Sequence, residues 1–215
     1  KNDVTRYEGM GLRAIQNGDG FRRDGSSFYA SLIFGMGRDR QRSVDFPFVR
    51  DPQRAASRRY EYGDSFSEGR AGELLGILDL CRRHGASVVI VMPPVSERIF
   101  SHMQQNHDRY RYVHRFERFV ADLPLESHNF HDIGAIGSTD CECIDSIHIG
   151  DVAYQRLLLK VLEQRPDSVL KPYLNVPLMK SSVAGFSGKV LTVFESDRER
   201  FRLNETSFLD IPCPK

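Results

Sequence analysis

The sequence has no tryptophan, almost no net charge and no long apolar run, and the last two shortages each remove a class of protein. Its 30 Lys and Arg against 29 Asp and Glu leave a formal charge of +1, whereas a nucleic-acid-binding domain gathers a basic excess on one face. Arginine is frequent, but it stands among acids, as in Arg38-Asp39-Arg40 and along residues 195–200, the pattern of a solvated surface. No stretch approaches the roughly 18 apolar residues that a membrane-spanning helix needs, and no charged-then-apolar leader opens the chain. A phosphate-cradling glycine pattern is missing as well. Gly35-Met36-Gly37 lacks the third glycine and a strand before it, so no nucleotide or other cofactor is expected. Four cysteines do not demand a disulfide framework. Cys81 falls at an apolar helical position and reads as a buried small hydrophobe, Cys141 and Cys143 share a loop, and Cys213 lies near the end, so pairing stays open.

What is present suffices for one domain with a real core: 40% of the 215 residues are hydrophobic, with 14 Phe and 8 Tyr among them. Residues 1–66 carry turn signals at Asn17-Gly18-Asp19-Gly20 and Asp24-Gly25-Ser26 and short apolar pieces at 28–34 and 44–49, without a clean period. They are taken as an irregular excursion of the same domain. From residue 67 to 165 the pattern sharpens into an α/β core. Leu74, Ile77, Leu78 and Cys81 recur at helical spacing over residues 68–84, Arg82-Arg83-His84 suit the negative end of a helix, and Gly85 suits its stop. Ser87-Val88-Val89-Ile90-Val91-Met92, closed by Pro93-Pro94, is a continuous β-branched run and predicts a buried parallel strand. A helical region follows over 96–123, with Val113, Phe116, Phe119, Val120 and Leu123 as its stripe and a polar break at 104–109. A short strand is predicted at 128–133, a glycine-containing loop after it, and a third helix from 151 to 164, ended by Pro166. Residues 166–215 are read as a C-terminal appendage with a strand at 187–194. The alternation of helices and strands predicts a parallel sheet flanked by helices in three layers.

The most informative stretch is Asp145-Ser146-Ile147-His148-Ile149-Gly150, in the loop after the last predicted strand and just before a helix. Sites in open α/β sheets collect outside the carboxyl ends of the strands. An Asp and a His three apart in one turn can meet, the carboxylate fixing the imidazole tautomer while the other ring nitrogen takes a proton from a nucleophile.

Together, Val88-Val89-Ile90-Val91-Met92-Pro93-Pro94, the helical stretch, Asn129-Phe130-His131-Asp132-Ile133 and then Asp145-Ser146-Ile147-His148-Ile149-Gly150 resemble the C-terminal half of the SGNH (GDSL-type) esterase and acyltransferase class over about residues 67–165. The last piece is similar to the membrane-anchored acyl-transfer branch, which includes D-alanyl transfer proteins and, less closely, alginate-type O-acetyltransferases. The resemblance implies a flavodoxin-like α/β fold that is incomplete at its N-terminus. It implies Ser–His–Asp covalent chemistry on acyl esters, with cell-envelope polysaccharide as a substrate class. His148 would be the base and Asp145 its orienting carboxylate, and the setting would be extracytoplasmic, with a membrane partner or anchor. The family's serine should lie well before both, on a strand upstream of Lys1. Tyr62-Gly63-Asp64-Ser65-Phe66 spells the nucleophile motif, but the residues before it are too polar for a central strand, so Ser65 and Ser67 are read as helix-capping candidates. Two alternatives stand beside this reading: an SGNH-like interaction module without chemistry, and a metal-binding loop made by Cys141, Cys143, Asp145 and His148.

Overall fold

The computed structural model describes residues 20–21, 27–28, 60–190, 192 and 213. The chain divides into two compact units, residues 1–44 with 193–206 and residues 45–192 with 207–215. In the first, β1 (Gly20–Phe21) and β2 (Ser27–Phe28) pair antiparallel on either side of the Asp24-Gly25-Ser26 signal. The apolar pieces at 28–34 and 44–49, Phe28 apart, lie outside the described residues.

The second unit is mixed α/β. Helix α1 (Glu68–Arg83) is capped by Ser67, whose hydroxyl accepts from the Arg70 N–H at 3.3 Å, and it ends where Gly85 takes φ +68°. Ser65 lies exposed in the segment leading up to that cap. Strand β3 (Val89–Met92) follows, then α2 (Glu97–Gln105), a 3-10 turn at His107–Arg109 and α3 (Arg111–Ala121), so the long helical region breaks where its polar stretch predicts. Strand β4 (Glu126–Asn129) pairs with β3 in parallel, Val91 opposite His128, and the ladder continues past both ends as a bridge between Val95 and Asp132. Helix α4 (Asp151–Gln164) occupies its predicted residues.

Three expectations need correction. The strand expected at 128–133 lies earlier, over Glu126–Asn129, because Asp132 accepts from the Gly134 N–H at 2.8 Å and turns the chain into a 3-10 helix at Ile133–Ile136. A strand reading Glu-Ser-His-Asn is tolerated because buried His128 is satisfied at both ring nitrogens, by Gln164 of α4 at 2.8 Å and Glu126 at 3.0 Å. The C-terminal β appendage is not formed by its described residues: 187–190 make a turn and a bend, and the preceding piece is helix α5 (Val176–Phe186), capped by Asn175 with a proline in its first turn. The remainder of that strand, apart from Thr192, lies outside the described residues. Finally, Cys81 is only half-buried, and no residue of α1 is buried at all. Of the expected parallel sheet, the described residues of this unit show the pair β3–β4.

Two apolar clusters hold this unit. One gathers Phe130, Ile133, Ile136, Cys143 and Ile149 with Ala153, Leu157 and Val161 of α4. The other joins Tyr60 and Val95 to Ile99, Met103, Tyr110 and Val113, with Ile147 packed against it. The site loop therefore lends Cys143 and Ile149 to one core and Ile147 to the other. Leu157→Ala should destabilise the domain by about 3 kcal/mol in urea unfolding, since it leaves a cavity in the first cluster. Leu75→Ala, at a position of α1 that is 46% exposed, should stay within about 0.5 kcal/mol. Equal losses would mean that α1 is packed as tightly as α4.

Candidate acid–base site

The chain leaves β3 through Pro93 and Pro94 and enters α2 at Ser96, whose backbone N–H donates to the Ser146 carbonyl at 2.9 Å. That bond places the Asp145–His148 turn at the carboxyl edge of the β3–β4 pair. Asp145 has no exposed side-chain surface. A buried carboxylate must have its oxygens satisfied, and here one accepts the N–H groups of Ile147 at 2.8 Å and His148 at 2.7 Å. Its other oxygen lies 2.5 Å from Nδ1 of His148. The His148 side chain is 58% exposed, so the pair has a dry end and a wet end. Burial pushes the Asp145 carboxyl up, but the imidazole bond and the two backbone N–H groups outweigh it and hold the group below its usual range. The carboxylate thus stays ionised and orients an imidazole that faces solvent, the arrangement a general base requires.

The turn is closed at its base by the Ile144 N–H on the His148 carbonyl at 2.7 Å, a Cys143–Ile149 antiparallel bridge and the Gly150 N–H on the Glu142 carbonyl at 2.7 Å. Side chains then fasten it to the body. The hydroxyl of buried Tyr60 donates to Ser146 Oγ at 2.9 Å, and the Tyr110 hydroxyl holds Tyr60 by its carbonyl at 3.1 Å. Asp140 accepts the Glu97 N–H at 2.5 Å, capping α2 together with Ser96. Burial raises Asp140 above its usual carboxyl range. Glu142, 2% exposed, receives the Arg156 guanidinium from α4 on both oxygens, at 3.0–3.2 Å, and the Ser138 hydroxyl at 2.7 Å.

The structure therefore brings Asp145 and His148 together as the spacing predicts. It brings Ser65 to neither the cap nor a described bond with them. The metal-binding alternative meets a chemical obstacle: Cys141 is spent in a disulfide with Cys213, and Cys143 is 1% exposed inside the apolar cluster. Among the described residues no group of three or more His, Cys, Asp or Glu side chains is placed to hold a metal. Sequence reasoning missed Tyr60, Asp140 and Glu142 as supports. The one available signal was two acids at alternate positions of Asp140-Cys141-Glu142, in a loop where acids ordinarily face water.

Compared with known proteins, the chain matches no family model, no curated protein and no solved structure.

The Asp145 arrangement has a pH signature. A carboxyl lowered in the folded state adds stability above its ordinary value of 3.8 and loses it as the pH falls through the lower folded value. Asp145→Asn should flatten the acid limb of stability against pH. An acid limb in that variant as steep as the parent's, followed by urea unfolding at several pH values, would refute the lowered carboxyl.

Proposed function

We propose that Asp145 and His148 are the acid–base pair of an SGNH-type esterase or O-acyltransferase, acting on acyl esters by Ser–His–Asp chemistry. The observation that carries this reading is the 2.5 Å bond between a fully buried carboxylate and a half-exposed imidazole at the carboxyl edge of a parallel strand pair. In such a site the imidazole takes the proton of a serine hydroxyl as it attacks the acyl carbon. It then returns that proton to the leaving alcohol, and Asp145 stabilises the imidazolium in between. Hydrolysis or transfer follows as water or an acceptor hydroxyl takes the acyl group. Cell-envelope polysaccharide is the substrate class suggested by the resemblance of the Asp145–Gly150 segment to acyl-transfer proteins. The Cys141–Cys213 disulfide supports an oxidising, extracytoplasmic setting.

The nucleophile in this reading comes from outside residues 60–190. A wider, three-layer sheet is part of the same proposal, with further strands beside β3. Two observations support it. Val-Ile-Val-Met is an interior-strand sequence, yet β3 is only half-buried. Alongside, α1 exposes Leu75, Ile77 and Leu80, and Leu75 and Leu78 line an apolar groove of about 510 Å³ with Val88, Leu123 and Leu125.

A fluorophosphonate that esterifies activated serines tests the reading on the full natural polypeptide. One serine outside residues 60–190 should be labelled, and His148→Ala should abolish labelling. Asp145→Asn should slow turnover of nitrophenyl acetate by about 10³–10⁴-fold, because it presents the wrong tautomer. Labelling of Ser65 would make residues 60–190 self-sufficient and refute the placement of the nucleophile. Labelling indifferent to His148 would refute the site.

A further inference from the structure

From residue 168 to residue 190 the sequence holds no Asp or Glu and carries lysines at 171, 180 and 189. In a chain whose cations and acids otherwise nearly balance, this is a local excess of one sign. The acids just before it, Glu163 and Asp167, are already paired with Lys160 and Arg165. Lys171 donates to the Pro166 carbonyl at 3.1 Å, and among the described residues none of the three lysines forms an ion pair. The stretch is fixed from beneath: Ser168 and Met179 are buried, and Leu170 packs on the cluster around Val161. Asn175 caps α5 by accepting the Leu178 N–H at 3.2 Å. The side chains left outside are apolar, with Tyr173 85% exposed, Leu178 63% and Val169 44%. Pro172 and Pro177 are exposed beside them and stiffen the backbone that presents them. On α5, Leu178 and Lys180 border the exposed face, and the small uncharged Ser181, Ala184 and Gly185 lie between them.

We propose that residues 169–180 dock on an anionic lipid bilayer. Val169, Tyr173 and Leu178 enter the interface, while Lys171 and Lys180 meet the lipid phosphates. Charge and apolar exposure together select this partner. Apolar side chains that stand in water gain by entering the boundary between headgroups and acyl chains. A tyrosine suits that depth, because its ring is apolar and its hydroxyl stays hydrated. Lysines extend along their alkyl stems past such residues and leave the ammonium among the phosphates. A soluble polyanion would use the lysines but gain nothing from Leu178. At 11 residues α5 is too short to cross a bilayer, so it lies on the surface.

Docking and its test are independent of the ester chemistry. The chain has no tryptophan, so Tyr173→Trp installs a sole reporter at the point of insertion. Its emission should move to shorter wavelength with vesicles of equal parts phosphatidylcholine and phosphatidylglycerol, and stay in place with phosphatidylcholine alone. Co-sedimentation of the full chain with the mixed vesicles should weaken about fivefold for each of Lys171→Gln and Lys180→Gln, roughly 25-fold together. Leu178→Ser should weaken it about tenfold. The urea midpoints of these variants should match the parent's, because all three positions are exposed. Equal emission shifts with both kinds of vesicle, or none with either, would overturn the proposal. Binding that soluble polyphosphate displaces and that Leu178→Ser leaves unchanged would make the lysines a polyanion site and overturn it too.

Discussion

Everything in the site loop follows from placing one ionised carboxylate where water does not reach. Asp145 has no exposed surface, so donors must converge on its two oxygens, among the described residues the N–H groups of Ile147 and His148 and the imidazole Nδ1. Two of those donors are backbone groups from the next three residues. They can converge only if the chain curls tightly round the carboxylate, and that curl carries His148 onto the other oxygen. The pairing is therefore a local consequence of the Asp-x-x-His spacing together with burial. Exposed on the surface, the same four residues would have water as a competitor at every bond.

Burial itself has to be enforced from outside the turn. Ile147 packs into the cluster of Tyr60, Ile99 and Tyr110, while Cys143 and Ile149 pack into the cluster of Phe130, Leu157 and Val161. Neither cluster alone would fix the orientation of the loop; side chains drawn into two cores from successive positions do. The polar ties then remove the remaining freedom, with Asp140 and Ser96 at the start of α2, Glu142 on α4 and Tyr60 on Ser146. Burying Glu142 at 2% exposure is costly, and the bidentate Arg156 contact with the Ser138 hydroxyl and Gly188 N–H offsets that cost.

The sequence made legible those features whose cause is local. The caps of α1, the apolar run of β3, the break at 104–109 and the span of α4 all rest on patterns within a few residues. Asp145 and His148 were legible for the same reason. What stayed hidden depends on distant partners. Glu126-Ser127-His128-Asn129 is no strand by propensity, and it becomes one because β3 offers a ladder and Gln164 satisfies His128. Asp140 and Glu142 can be buried because α2 and α4 supply their donors. Helix α5 carries its signals, Asn175 and Pro177, but they follow a proline at 166, within the span read as an appendage.

The loop and the strand pair beneath it differ in how closely they are packed, and this separates the geometry of the pair from the packing of α1. Among the described residues, the polar groups that shape the turn bond to Tyr60, Ser96, Glu97, Arg156, Gly188 and the turn's own backbone. By contrast α1 has no buried residue, and β3 is half-buried with a single described partner strand. Apolar surface of this kind gains from any cover by area alone, roughly 25 cal/mol per Å² buried. None of the described ties that hold Asp145 to His148 passes through α1. The geometry of the pair is consequently set by its own turn and by the two clusters that bury it, and cover laid over β3 and α1 would leave the described bonds to the carboxylate in place.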